Sequence, residues 1–171
     1  MAQLTSERIN NAVITLLSSL DATDVELVKD VVLRGTATGY FTDGGTAGTA
    51  QTTTAFFVNE TSKPLKVTSV KFVTPVAVTA HGSNYGTVTV AHRTSAGASA
   101  TTIVSFATDT VTTDDLTAFA PKDLTSSITA ANAVIPAGGV VTIALAKTGT
   151  GVAFAAATSQ CYVSIQYEAV D

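Results

Sequence analysis

From about residue 52 onward, apolar and polar positions alternate in short runs separated by Gly, Pro, Asn and Ser breaks. That two-residue period is the mark of half-buried strands. Phe56, Phe57 and Val58 lie in the first run, and Pro64 opens the next, where Val70 and Phe72 share a face. Pro75 interrupts it, as proline does at a strand edge or bend. After a turn at His81-Gly82-Ser83-Asn84, residues 86–93 place Val88, Val90 and His92 on one side. Residues 101–108 bring Val104 and Phe106 together. Pro136-Ala137-Gly138-Gly139 is a strong turn before a run in which Val141, Ile143 and Leu145 face one way. In the last run Cys161, Val163, Ile165 and Tyr167 alternate with Tyr162, Ser164, Gln166 and Glu168. The stretch from Asp109 to Ala133 is mixed, with room for a short helix near Asp114 to Phe119 and one further strand.

The first part of the chain has a different rhythm. Ile9, Val13, Leu16, Leu17 and Leu20 recur at helical spacing behind Ser6, a suitable N-cap. Thr23 to Glu26 has capping-box spacing, yet Val31 and Val32 are β-branched and lead into a strand-like stretch from Arg34 to Phe41, so helix and strand both stand for this second segment. Asp43 to Ala50 is a turn-rich loop without the lysine of a phosphate-cradling motif. Seven or eight short strands over about 120 residues, with no βαβ rhythm, predict a mainly β fold, a β-sandwich or jelly roll with an N-terminal helical or extended arm. The expected division is an arm over 1–45, serving docking or oligomerisation, and a sandwich domain over 46–171.

Charge changes this picture most. Charged residues are 13% of the 171, about half the usual share. Nine basic and thirteen acidic residues must serve a folded surface on the order of 7,800 Å². So few charges guard β edges poorly, and part of the surface is expected to lie in permanent contacts. The net charge of −4 argues against nucleic acid, which needs Lys and Arg clusters. Lys63, Lys66 and Lys71 form the only basic neighbourhood, and a solvated strand edge accounts for it. No apolar run is long enough to span a bilayer, and the N-terminal segment lacks the basic start of a signal peptide.

Candidate chemistry is sparse. His81 and His92 lack the company of a zinc site. Cys161, the single cysteine, sits on an apolar strand face without a signalled basic partner, and so reads as core. Asp109, Asp114 and Asp115 do not follow a calcium-loop spacing. Tyr40, Tyr85, Tyr162 and Tyr167 are scattered, and no tryptophan offers a glycan platform. The expectation is a non-enzyme without cofactor or metal.

Several stretches resemble capsid decoration (cement) and head-fibre proteins of tailed bacteriophages: Ala55 to Asn59 with Pro64 to Phe72, Gly86 to Val90, Ile135 to Ile143, and Tyr162 to Glu168. The likeness covers about residues 50–171 and is one of texture: Thr/Ala/Val-rich strands, the Pro-Ala-Gly-Gly turn and low charge. It implies a β-sandwich, often trimeric, on the outer capsid surface of a virion, partnered by the major capsid protein and by its own copies as a homotrimer. The contact residues expected for docking are Ile9, Val13, Leu16, Leu17 and Leu20. The other reading is a head-fibre or tail-associated module that binds a receptor glycan.

Overall fold

The computed structural model describes residues 34–42, 52–150, 154 and 159–170. Among them the protein is mainly β, built as two antiparallel sheets facing each other. The strands are β1 (Arg34–Phe41), β2 (Thr52–Val58), β3 (Leu65–Val73), β4 (Tyr85–Arg93), β5 (Thr101–Ala107), β6 (Lys122–Asp123), β7 (Val134–Ile135), β8 (Val140–Thr148) and β9 (Cys161–Ala169). One sheet has the order β1-β9-β3-β6, with β7 also paired to β3; the other runs β2-β8-β4-β5. Two 3-10 turns, Thr125–Ser127 and Ala130–Asn132, join β6 to β7. The sandwich unit spans Gly35–Asp171. Its first strand, β1, comes from the stretch assigned above to the arm and hydrogen-bonds to β9. The helical pattern of Ile9 to Leu20 lies outside the described residues.

Register explains the core. In the first sheet Val67 faces Tyr167, Val70 faces Ile165 and Phe72 faces Val163 across β3 and β9. In the second, the row Thr54–Ile143–Val90–Val104 lies on the inner side. These two inner faces bury Val70, Phe72, Val90, Ile143, Val163 and Ile165 almost completely. Burial of each such side chain contributes about 1.5–3 kcal/mol, so the alternation is the main driving force for pairing the sheets.

Three strands carry an extra residue where strict alternation would turn apolar groups outward. β3 shifts register between Val67 and Ser69, β2 between Ala55 and Phe57, and β5 against Val90 and Ala91. The bulge in β3 allows Leu65 and Val67 ahead of it and Val70 and Phe72 behind it to face the same core. In β5 it lets neighbouring Ile103 and Val104 both be buried.

Aromatic rings fill places where a strand carries glycine. Phe154 lies against Gly86 of β4 and edge-on to Phe72 at 5.8 Å. In β1, Tyr167 covers Gly35 and Phe56 covers Gly39, each so close that a Cβ would collide. The smallest residue is required by close approach here, and β1 can lie tight against the aromatic groups of β9 and β2.

Two of the passages of chain between the sheets, β2 to β3 and β7 to β8, are tied by one buried polar side chain. Asn59, between β2 and β3, donates through Nδ2 to the carbonyls of Lys63 (2.9 Å), Ile135 (3.3 Å) and Pro136 (3.0 Å). Its Oδ1 accepts from the Thr61 amide and hydroxyl. Backbone bonds Asn59 N–H to Gly139 O and Gly138 N–H to Asn59 O complete the corner. Gly138 adopts φ +70°, the left-handed conformation that the Pro-Ala-Gly-Gly turn requires.

The stretch expected to hold a short helix at Asp114 to Phe119 instead follows an irregular path. Leu116 exchanges two backbone hydrogen bonds with Val78, and the Asp115 carboxylate accepts from the Ala80 amide at 2.7 Å. Those tertiary partners hold the backbone in place of a helical ladder. The further strand expected from this region is the two-residue β6.

Candidate interaction surface

The outer faces of the two sheets differ in chemistry. Across β2, β8, β4 and β5 the outward rows read Thr53–Ala144–Thr89–Ser105 and Ala55–Thr142–Ala91–Thr102, followed by Ala146 and Thr87 with Ala107. No charged side chain occurs in these rows. Arg93 closes one end of β4, bonding through its guanidinium to Ala98 O at 3.0 Å. The face is exposed at its margins, at Thr53, Ala55, Thr102 and Ser105, and half-buried to buried toward the middle. Thr89 and Ser105 share a hydroxyl hydrogen bond of 3.3 Å across the strands.

The other sheet concentrates charge. Its outer rows pair Lys66 with Glu168 and bring Lys71 between Ser164 and Asp123. Two of the three lysines read from sequence as a basic neighbourhood, Lys66 and Lys71, are therefore set beside acids. The Asp123 carboxyl is held below its ordinary value, first by hydrogen bonding from the Thr125 side chain, then by the Thr125 amide and by the charge of Lys71. At the end of these rows Val73 faces Tyr162, whose ring lies 5.6 Å from that of Tyr40. Tyr40 is 62% exposed. These two tyrosines, far apart in sequence, form a pair at the surface, whereas Tyr167 packs on Phe57 at 4.9 Å between the sheets.

The edges are treated unequally. On β5, Ile103 O accepts from Thr129 N–H and Thr102 O from the Asn132 side chain, so the segment ahead of β7 covers that edge. β2 reads Thr-Thr-Thr-Ala-Phe-Phe-Val, with neither charge nor proline, the usual guards of a free edge.

The remaining candidates are dispersed. His81 accepts at Nδ1 from the Ser83 and Asn84 amides and so shapes a turn. His92 points inward at the end of β4, opposite Thr101 and Val141, with Nδ1 buried and lacking a hydrogen-bond partner among the described residues. Desolvation pushes its pKa down, and a hydrogen bond to the Asn132 backbone opposes this. Cys161 is buried, and its thiol donates to Phe154 O at 3.3 Å. Asp114 accepts from Thr110 N–H at 3.1 Å, and Asp115 is engaged with Ala80. Among the described residues no three of His, Cys, Asp and Glu come together as a metal site. Ile9, Val13, Leu16, Leu17 and Leu20, read from sequence as contact residues, lie outside the described residues.

Sequence reasoning missed two exposed apolar groups in residues 109–121: Val111 (58% exposed) and Phe119 (75%). Both stand beside or at a left-handed backbone, with φ 68° at Thr112 and 60° at Phe119. Nothing in a single sequence announces a phenylalanine in that conformation, because its usual reading is core.

No protein-family model matches the chain, and no curated protein matches it. Among solved structures, a chain of infectious bursal disease virus Gt strain aligns at 15% identity and a TM-score of 0.30, covering 81% of this chain and 38% of that one. A chain of the Gx strain aligns at 13% identity and a TM-score of 0.25, covering 80% and 37%. This chain thus spans less than two fifths of the viral chains it is similar to.

Proposed function

We propose that the chain is a non-enzymatic structural protein of a virion, seated on the outer surface of a tailed-phage capsid. There it contacts the major capsid protein and its own copies, as a homotrimer. The observation that carries this reading is the uncharged Thr/Ala/Ser face of the four-stranded sheet. Such a face packs closely against another surface without stripping water from any charge, a step that costs several kcal/mol per ion. With strands about 4.8 Å apart and five residues of each contributing, the face covers at most roughly 300–400 Å². A standard interface needs about 800 Å² per partner. One such contact is therefore too small to hold a pair, but the three faces of a homotrimer, one per copy, add through high effective concentration on a repeating shell.

The test is the double variant Thr53→Lys/Ser105→Lys. Both positions are exposed and lie on strands at the sheet edges, where lysine is tolerated in the fold. Binding to shells stripped of the protein should fall at least about tenfold, equivalent to 1.4 kcal/mol, with the melting temperature unchanged. Undiminished binding by the folded double variant would refute this use of the face.

A second reading draws on the Tyr40–Tyr162 pair, which offers the exposed aromatic surface that a glycan-binding head-fibre module uses. Glycan-array binding that Tyr40→Ala abolishes, with shell binding intact, would favour that role.

A further inference from the structure

The segment 109–121, between β5 and β6, combines two features that a merely connecting loop has no use for. It exposes Phe119 and Val111 to solvent, and it contains the non-glycine residues of positive φ, Thr112 and Phe119, found among the described residues. A bulky side chain in the left-handed region is strained where glycine or asparagine is not. The surrounding structure imposes this conformation. Phe119 N–H donates to Thr74 O at 2.8 Å, Leu116 is bonded in both directions to Val78, and Asp115 accepts from Ala80 N–H. At the other end Asp114 and Thr110 close a turn with N–H to O bonds at 3.0 and 3.1 Å. The phenyl ring is thus presented outward on a pinned backbone.

An exposed aromatic held rigidly loses little conformational freedom on binding, as hot-spot anchors do. The segment also carries Asp109, Asp114 and Asp115 and no basic residue of its own, with the single cation of Lys122 reaching back to the Thr113 carbonyl, so acid outweighs base there. The same loop of a second copy would meet it with like charge. We infer that Phe119 is a docking anchor, inserted into an apolar pocket bordered by Lys or Arg side chains on the capsid protein. This inference rests on the shell-binding role proposed above.

Phe119→Gly and Phe119→Asn separate docking from folding, because both replacements suit the left-handed backbone. Each variant should bind stripped shells at least about 30-fold more weakly. Its melting temperature should stay level or rise by about 2–4 °C as strain is relieved. Asp109→Asn should weaken binding by about threefold, with a shallower dependence on salt. Wild-type affinity in the Phe119 variants would overturn the anchor while leaving the shell-binding role intact. A fall in melting temperature would make Phe119 a packing residue and likewise overturn it. A wild-type chain that binds no shell would overturn the role itself, and the anchor with it.

Discussion

Replacing Asn59 by alanine tests how the sandwich is held at its corner. The side chain lies where the chain crosses from β2 to β3, and it grips the residues that lead from β7 into β8. These two of the crossings between the sheets therefore meet at one amide. Removing it leaves the buried Ile135 carbonyl without that donor, a loss of about 1–3 kcal/mol. The half-buried Pro136 and Lys63 carbonyls recover part of their bonding from water, and together they add about 1 kcal/mol. The vacated volume beneath the turn contributes roughly another 1 kcal/mol. The total, on the order of 3–5 kcal/mol, lowers the melting temperature of a chain this size by roughly 10–15 °C. Urea unfolding should show the same loss as a lower midpoint with an unchanged slope. Thr61→Ala is the control: it removes the hydroxyl's bonds to the Asn59 amide oxygen and to the exposed Lys63 carbonyl while keeping the Thr61 N–H bond, and should cost less than about 1 kcal/mol. If Asn59→Ala and Thr61→Ala melt together, the corner is not held by this side chain.

Other outcomes follow from the same packing. Gly86→Val drives a side chain into the ring of Phe154 and should cost about 1–3 kcal/mol, part of which Phe154→Leu restores in the double variant; additive losses measured by denaturation would contradict the contact. His92 has its pKa lowered by burial, so the unfolded chain takes up the proton first as pH drops below 6.5. Stability should fall from there down to the lowered folded value, and His92→Gln should flatten that part of the profile. Identical pH profiles of melting temperature for the two proteins would refute it.

Much of this architecture was legible in the residues because a two-residue period maps directly onto a sheet face. Val88 with Val90, Val141 with Ile143 and Leu145, and Cys161 with Val163 and Ile165 are buried together as their spacing implies. The bulges were not legible. Thr68 and Ile103 carry no signal that marks an extra residue, because the shift arises only when a partner strand fixes the register. The low charge content was visible from composition, but its placement was not. Only cross-strand pairing shows that β2, β8, β4 and β5 align uncharged Thr/Ala/Ser rows on their outer face, with Arg93 at one end, while Lys66, Lys71, Asp123 and Glu168 gather on the other sheet. Tyr40 and Tyr162 came together for the same reason. The segment around Asp114 misled because its composition suits a helix start, whereas Val78 and Ala80 compete for its backbone and carboxylate.

Electron cryomicroscopy of the particle that carries this chain bears most directly on the account. It predicts a two-sheet body recurring at regular positions on the shell's outside, oriented so that the four-stranded sheet meets a neighbour. Particles whose outer surface lacks such density, together with a chain that light scattering finds as a single 17.3 kDa species, would contradict it.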